Sequence, residues 1–236
     1  MDLKDVVDEI RVIRAGTTMR DPEAWLPRWE QVQHRDWECL LETYILATVV
    51  YVRTGDTGIL IDTGWEGFDP ASESLNRLLM ELDYQGISPS DIDEVFITHW
   101  HGDHYFNIPL FPESRVLYAG LSQSEVKSKL RQISADNEIV KMKEEDDWHP
   151  GMRIMETSGH SSHDHSVVMK LKKMTVVAAG DAIVSKMYYH HREFFPNERL
   201  KDHLEELKRS FERIVNVADI IIPGHDGPFF NYLRNA

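Results

Sequence analysis

The sequence contains a single cysteine, Cys39, among 236 residues. One thiol excludes an intrachain disulfide and any metal site built from several thiolates. The longest apolar runs, such as residues 45–52, are far shorter than the roughly 20 residues that cross a bilayer. The first residues also lack the basic and apolar regions of a secretory signal. We therefore expect a cytoplasmic protein with no membrane partner.

Positive charge is also scarce, since 26 Lys and Arg stand against 40 Asp and Glu, for a formal net charge of −14. Proteins that bind long nucleic acids need clustered Lys and Arg to displace counterions, so such a partner is not expected. Apolar residues make up 42% of the chain, enough for a globular core at this length. The sequence has no internal repeat and no Gly/Ser/Pro-rich linker, which predicts one domain over residues 1–236.

Short β-branched and aromatic runs predict strands in two groups, with helices between and after them. The first group comprises residues 9–15, 44–53, 59–61, 95–98 and 115–118. The second group comprises residues 153–156, 166–171, 174–178 and 220–222. Helices are predicted at 72–84, at 122–133 and after the cap Pro196-Asn197. Two packed sheets with helices outside them fit this order of elements.

Residues 16–43 show neither the helical nor the strand spacing of apolar residues. They contain half of the chain's six tryptophans, namely Trp25, Trp29 and Trp37. A long loop inside a compact domain usually serves function or an interface. We expect this segment to form a lid or the contact of a homodimer. The alternative is a wrap that packs its aromatic rings on the domain's own core.

Four side chains that can bind metal follow the predicted strand 95–98 within six residues: His99, His101, Asp103 and His104. They can converge only if the chain turns sharply, and Gly102 supplies that freedom. Neutral imidazole and carboxylate are good ligands for zinc and for other first-row divalent ions. The cluster therefore predicts a metal site, for either one ion or two.

Three later residues share one setting: His160, Asp181 and His225 each follow a predicted strand and a glycine. Taken singly, each could be a capped loop residue. Taken with the first cluster, they predict ligands delivered from the ends of several strands to one edge of a sheet sandwich, which gives a site open to solvent.

These residues resemble the motifs of the metallo-β-lactamase superfamily, with its His-x-His-x-Asp-His pattern at 99–104 and its later His, Asp and His. Asp62-Thr63-Gly64 resembles the strand-ending motif that precedes them. The resemblance implies a mixed α/β (α+β) fold, a four-layer αββα sandwich, with two divalent ions, zinc first and iron or manganese otherwise. It assigns His99, His101 and His160 to one ion. It assigns Asp103, His104 and His225 to the other, with Asp181 bridging both.

The resemblance also implies a hydrolase in which a hydroxide that bridges the two ions attacks a small ester, lactone or thioester. Asp103 is the expected catalytic proton carrier. Hydrolysis of β-lactams is not expected, because Cys39 lies upstream of the motif and cannot be the family's second-site thiolate. The alternatives are a phosphodiesterase or ribonuclease on the same ions, an iron-based redox enzyme, and a metal-binding module without catalysis.

Three further residues are candidates for binding a small-molecule substrate. His163 lies in the loop after His160, and its alternative role is a loop cap. Tyr188 and His190 belong to a stretch that could form a substrate wall, with an exposed polar loop as the alternative. Val184 occupies the position, three residues after Asp181, at which related lactonases carry a tyrosine.

Overall fold

The computed structural model describes residues 6–14, 47–64, 74–144, 147–194 and 202–234. The Trp-rich segment 16–43 and the cap Pro196-Asn197 lie outside these ranges, so the lid, the homodimer contact and the single domain stay predictions. Within the described ranges, none of the helices combines the length and the apolar content that crossing a bilayer requires.

The first sheet has six strands whose spatial order equals their chain order. These are β1 (Glu9–Arg14), β2 (Val49–Thr54), β3 (Thr57–Ile61), β4 (Glu94–Phe96), β5 (Arg115–Tyr118) and β6 (Ile139–Lys141). Strands β1 to β3 pair antiparallel, and β3 to β6 pair parallel. The carboxyl ends of β3 and β4 therefore lie at the same edge of the sheet.

The second sheet also has six strands, in the order β12-β11-β10-β9-β8-β7. These are β7 (Asp147–His149), β8 (Met152–Glu156), β9 (His165–Lys170), β10 (Thr175–Gly180), β11 (Ile220–Pro223) and β12 (Phe229–Phe230). β10 and β11 pair parallel, and β8 runs in their direction because it is two antiparallel steps from β10. The carboxyl ends of β8, β10 and β11 thus share one edge.

The α-helices of the described ranges are α1 (Ser74–Tyr84), α2 (Gly102–Tyr105), α3 (Gln123–Gln132), α4 (Lys186–His191) and α5 (Leu204–Val217). α3 begins at a reciprocal capping box between Ser122 and Glu125, which satisfies two backbone donors that the first helical turn leaves open. α5 is strongly amphipathic and buries one face, including Leu207, Phe211 and Ile214.

Three apolar layers define the architecture. The outer face of the first sheet packs under α1 and α3, with Leu78 and Val126 in the contact. The two sheets pack on each other through residues such as Phe96 and Val167. The outer face of the second sheet packs under α4 and α5, where Tyr189 meets the α5 side chains. The predicted αββα sandwich is confirmed.

The two predicted groups of strands are confirmed, whereas several short elements were missed. β6, β7 and β12 have two or three residues each, and α2 and α4 have four and six. The interpretation of 190–191 as a loop was wrong, since both residues end α4. α5 begins at Leu204, with His203 as its N-cap residue.

One end of the sandwich is held by a buried carboxylate, and the other end carries the predicted ligands. Glu94, at the start of β4, accepts hydrogen bonds from Arg115, from Trp148 Nε1 at 2.7 Å, and lies 2.8 Å from His149 Nε2. This contact ties the first sheet to the edge strand of the second. The turns at 55–56, 150–151 and 172–173 lie at the same end as Glu94.

Candidate metal centre

The first four candidate ligands lie where β4 ends and α2 begins. His99 is fully buried. His101 is exposed and is the N-cap residue of α2, and Asp103 and His104 lie within that single helical turn. Because α2 starts at Gly102, the chain turns back immediately after the strand and brings the side chains together.

The first ligand group contains His99, His101, His160 and Asp181. His101 Nδ1 lies 3.0 Å from both His99 Nε2 and His160 Nε2. Asp181 Oδ2 lies 3.3 Å from His160 Nε2 and 3.8 Å from His99 Nε2. The ligand atoms of this group all lie within 4.8 Å of one another, a spacing at which they can surround one cation.

The second ligand group contains Asp103, His104 and His225, whose ligand atoms also lie within 4.8 Å of one another. Asp103 Oδ2 lies 3.4 Å from His225 Nε2 and 3.8 Å from His104 Nε2. The Asp103 side chain keeps 19% of its exposure, against 0% and 1% for the two histidines. Asp103 therefore faces the opening of the site.

Asp181 contacts both groups, because each of its carboxylate oxygens faces a different one. Oδ2 faces His99 and His160, whereas Oδ1 lies 3.2 Å from His225 Nε2 and 3.5 Å from His104 Nε2. All seven residues predicted as ligands are thus brought together at one edge of the sandwich.

The chemistry of this site fits divalent cations. Among the described residues, His104 Nε2 and Asp181 Oδ1 are buried without a hydrogen-bond partner, and their separation of 3.5 Å exceeds a normal hydrogen bond. Buried polar atoms nearly always have a hydrogen-bond partner. The absence of one at these two atoms indicates that they bind a ligand such as a metal ion. Burial lowers the pKa of His99 well below its usual value. His101 has an exposed side, but its ring nitrogen faces His99 and His160, and the loss of hydration there together with the nearby His160 lowers the pKa of His101 to about 4. Both rings are therefore in the neutral form that binds metal.

Asp62 orients one of the ligands, a role that its motif resemblance alone does not predict. Its carboxylate accepts hydrogen bonds from Thr98 N at 2.8 Å and from Thr98 Oγ1 at 2.7 Å, and it lies 2.8 Å from His104 Nδ1. A carboxylate can only accept, so His104 carries its proton on Nδ1. Nε2 is then the ring nitrogen directed at the second ligand group, where it could bind a metal ion after losing any proton it carries.

Two glycines that precede late ligands are required by close packing. A Cβ on Gly224 would lie 2.0 Å from Asp181 Oδ1, so only glycine lets the carboxylate reach between the two groups. A Cβ on Gly159 would lie 2.4 Å from the backbone N of Leu207, and its φ is +136°. The pattern of a glycine before the ligand, read from the sequence, therefore has a steric cause at His160 and at His225.

Replacing Gly224 with alanine tests the first of these contacts. The added methyl overlaps Asp181 Oδ1, so the carboxylate must move, and we expect zinc binding to weaken by about 10- to 100-fold. Chelator competition measures the dissociation constants. Gly227→Ala is the matched control, because a Cβ there meets no atom within 4 Å. Equal zinc affinities in the two variants would contradict the steric account.

The three predicted substrate residues lie outside both ligand groups. His163 Nε2 accepts a hydrogen bond from the backbone N of Trp100 at 3.4 Å. Tyr188 is buried in α4 and lines a small cavity that also borders Asp181. His190 is exposed at the other side of α4, with Nδ1 2.6 Å from the hydroxyl of Tyr232. Their role toward substrate stays a prediction.

The structure thus combines an αββα sandwich with a histidine- and aspartate-rich edge whose side chains could hold divalent metal ions. The family model described as the metallo-beta-lactamase superfamily matches residues 44–225. The chain belongs to the metallo-beta-lactamase superfamily, which confirms the resemblance. The chain spans about 60% of the length of the mammalian relatives that it matches.

Individual relatives agree with this assignment. Metallo-beta-lactamase domain-containing protein 1 of Homo sapiens is 32% identical over 182 residues, which cover 75% of this chain and 61% of the human protein. An atrochrysone carboxyl ACP thioesterase of Cryptosporiopsis sp. is 27% identical, over 56% of this chain and 37% of the thioesterase. The structure of a quorum-quenching N-acyl homoserine lactone lactonase superposes with a TM-score of 0.63 at 20% identity, covering 96% of this chain and 94% of the lactonase. That superposition shows the fold.

Proposed function

We propose that this chain is a hydrolase that binds two divalent ions, zinc first, and acts on a small ester, lactone or thioester. The observation that carries the proposal is the placement of Asp181, whose two oxygens face different ligand groups. A shared carboxylate offsets part of the repulsion between two close cations. The lactonase and the thioesterase among the comparisons support a carbonyl substrate.

In this proposal, His99, His101 and His160 would hold one ion and Asp103, His104 and His225 would hold the other. Asp181 would serve both groups. Bound divalent ions supply water activation at neutral pH and polarise the carbonyl oxygen of a substrate. The remaining chemistry belongs to Asp103, the partly exposed carboxylate of the second group. Its position at the opening suits it to accept a proton during attack and to return that proton to the leaving group.

Metal analysis followed by a substrate panel tests this function. We expect about two zinc ions per chain and turnover of thioester or lactone substrates well above turnover of bis-p-nitrophenyl phosphate. Faster hydrolysis of the phosphodiester would favour the phosphodiesterase alternative. Bound iron with visible absorption and no hydrolysis would favour the redox alternative, and zinc without any turnover would favour a binding module.

The Asp103→Asn variant separates proton transfer from metal binding. The amide keeps one oxygen toward the second group but cannot carry a proton, so we expect most of the metal to remain while turnover falls by about 100-fold or more. The control is Asp56→Asn, an exposed carboxylate in the β2–β3 turn at the opposite end of the sandwich. Complete loss of metal from Asp103→Asn would leave no support for the proton-transfer role.

A further inference from the structure

His101 differs from the other histidines of its ligand group in how it is held. The His99 side chain is fully buried and the His160 side chain keeps 6% of its exposure, so packing restrains both rings. His101 is exposed, and as the N-cap residue of α2 it makes no side-chain capping bond. Its ring position therefore depends on how firmly the backbone just before it is fixed.

That backbone belongs to Trp100, and two side chains from other elements bind it. Lys129 Nζ, from α3, donates to the Trp100 carbonyl oxygen at 3.0 Å. His163 Nε2, from the loop after His160, accepts from the Trp100 backbone N at 3.4 Å. The two peptide groups on either side of Trp100, which join it to His99 and His101, are thus each held by a side chain from another element.

The Trp100 side chain anchors the same residue in the core. It is 2% exposed and its ring lies 5.2 Å from the ring of Tyr105. The ammonium of Lys129 also lies 5.5 Å from the centre of the Tyr105 ring, a distance at which a cation is attracted to an aromatic face. Lys129 is half-buried, whereas Lys127 on the same helix is exposed.

We propose that Lys129 is a positioning residue for the metal centre: it fixes the Trp100 carbonyl and thereby places the His101 ring at the first ion. The hydrogen bond is charge-assisted, and such bonds are roughly twice as strong as neutral ones. Since His101 Nδ1 lies close to two other ligand nitrogens, a small shift of its backbone changes the whole first group. This inference rests on the proposed function, because it assumes that the first group binds an ion.

The test compares Lys129→Met, which keeps the aliphatic stem and removes the donor, with Lys127→Met. Zinc dissociation constants are measured by chelator competition, and urea unfolding is measured on the metal-free proteins. We expect Lys129→Met to bind one of its zinc ions about 10- to 100-fold more weakly, and Lys127→Met to match the unchanged protein. Lys129→Arg, which restores a charged donor, should recover most of the affinity.

The outcomes separate this inference from the function itself. Unaltered zinc affinity in Lys129→Met would overturn the positioning role while leaving the two-ion centre in place. A lower unfolding midpoint with unaltered zinc affinity would also overturn it, because Lys129 would then be structural only. If the unchanged protein binds no zinc, the proposed function itself fails. Should Lys129→Met not fold, His163→Ala removes the acceptor of the Trp100 backbone N–H and must weaken zinc binding in the same way.

Discussion

Replacing Asp181 with alanine is expected to leave fewer than two divalent ions bound per chain and to lower turnover by about 10³-fold or more. The carboxylate is buried, and each oxygen lies beside a different ligand group. Burial alone would raise the pKa of Asp181, but the neighbouring His225 and His104 hold that pKa well below its usual value, so the side chain is anionic. Its removal takes the shared charge from both ions, and the charge stabilisation that metal ions supply is several kcal/mol.

Elemental analysis of the purified variant gives the ion count, and initial rates on the best substrate of the panel give the turnover. Asp136→Ala is a suitable control, since Asp136 is an exposed carboxylate in the loop after α3. Two tightly held ions in Asp181→Ala would refute the bridging assignment, even if turnover were lost.

The second large effect is expected from Asp62→Asn. The amide is nearly isosteric, but its NH₂ group would face a donor, either Thr98 or His104 Nδ1, in a buried site. An unsatisfied buried donor costs about 1–3 kcal/mol, and bonds to charged groups are worth more than neutral ones. We expect the free energy of unfolding of the metal-free protein to fall by about 2–4 kcal/mol, and zinc affinity to fall by about 10- to 100-fold because His104 is no longer oriented.

Urea unfolding and chelator competition measure the two effects of Asp62→Asn separately. Asp93→Asn is the matched control: Asp93 is an exposed carboxylate that accepts one backbone hydrogen bond, from Gly58 at 2.8 Å, and its change should cost under about 1 kcal/mol. If Asp62→Asn lowers stability without weakening zinc binding, the orienting role assigned to Asp62 is wrong.

The parts of the fold that the sequence predicts are those in which a local pattern reports burial. β-branched runs such as 220–222 predict strands because their side chains fill the space between layers. The apolar positions of α5 recur on one helical face for the same reason. Short elements lack this information. α2 spans only the four residues from Gly102 to Tyr105, too few to show the repeat of apolar residues that marks a helix.

The ligands of the candidate site could be found in sequence because they are chemically unusual and follow strands. Their supporting residues could not, because each is joined to its partner by the fold alone. Asp62 lies 36 residues from Thr98 and 42 from His104, and Lys129 lies 29 residues from Trp100. The sequence around a single aspartate or lysine does not show which residue it contacts in the folded protein.

The separation of the two ends of the sandwich has a practical use. The turns at 150–151 and 172–173 are separated from the ligand edge by the full length of the strands that adjoin them. A six-residue strand such as β9 spans about 20 Å. A fluorophore, an epitope or a tether inserted at either turn would stand clear of the chemistry. The protein could then be attached to a bead or an electrode with the ligand edge facing the solution.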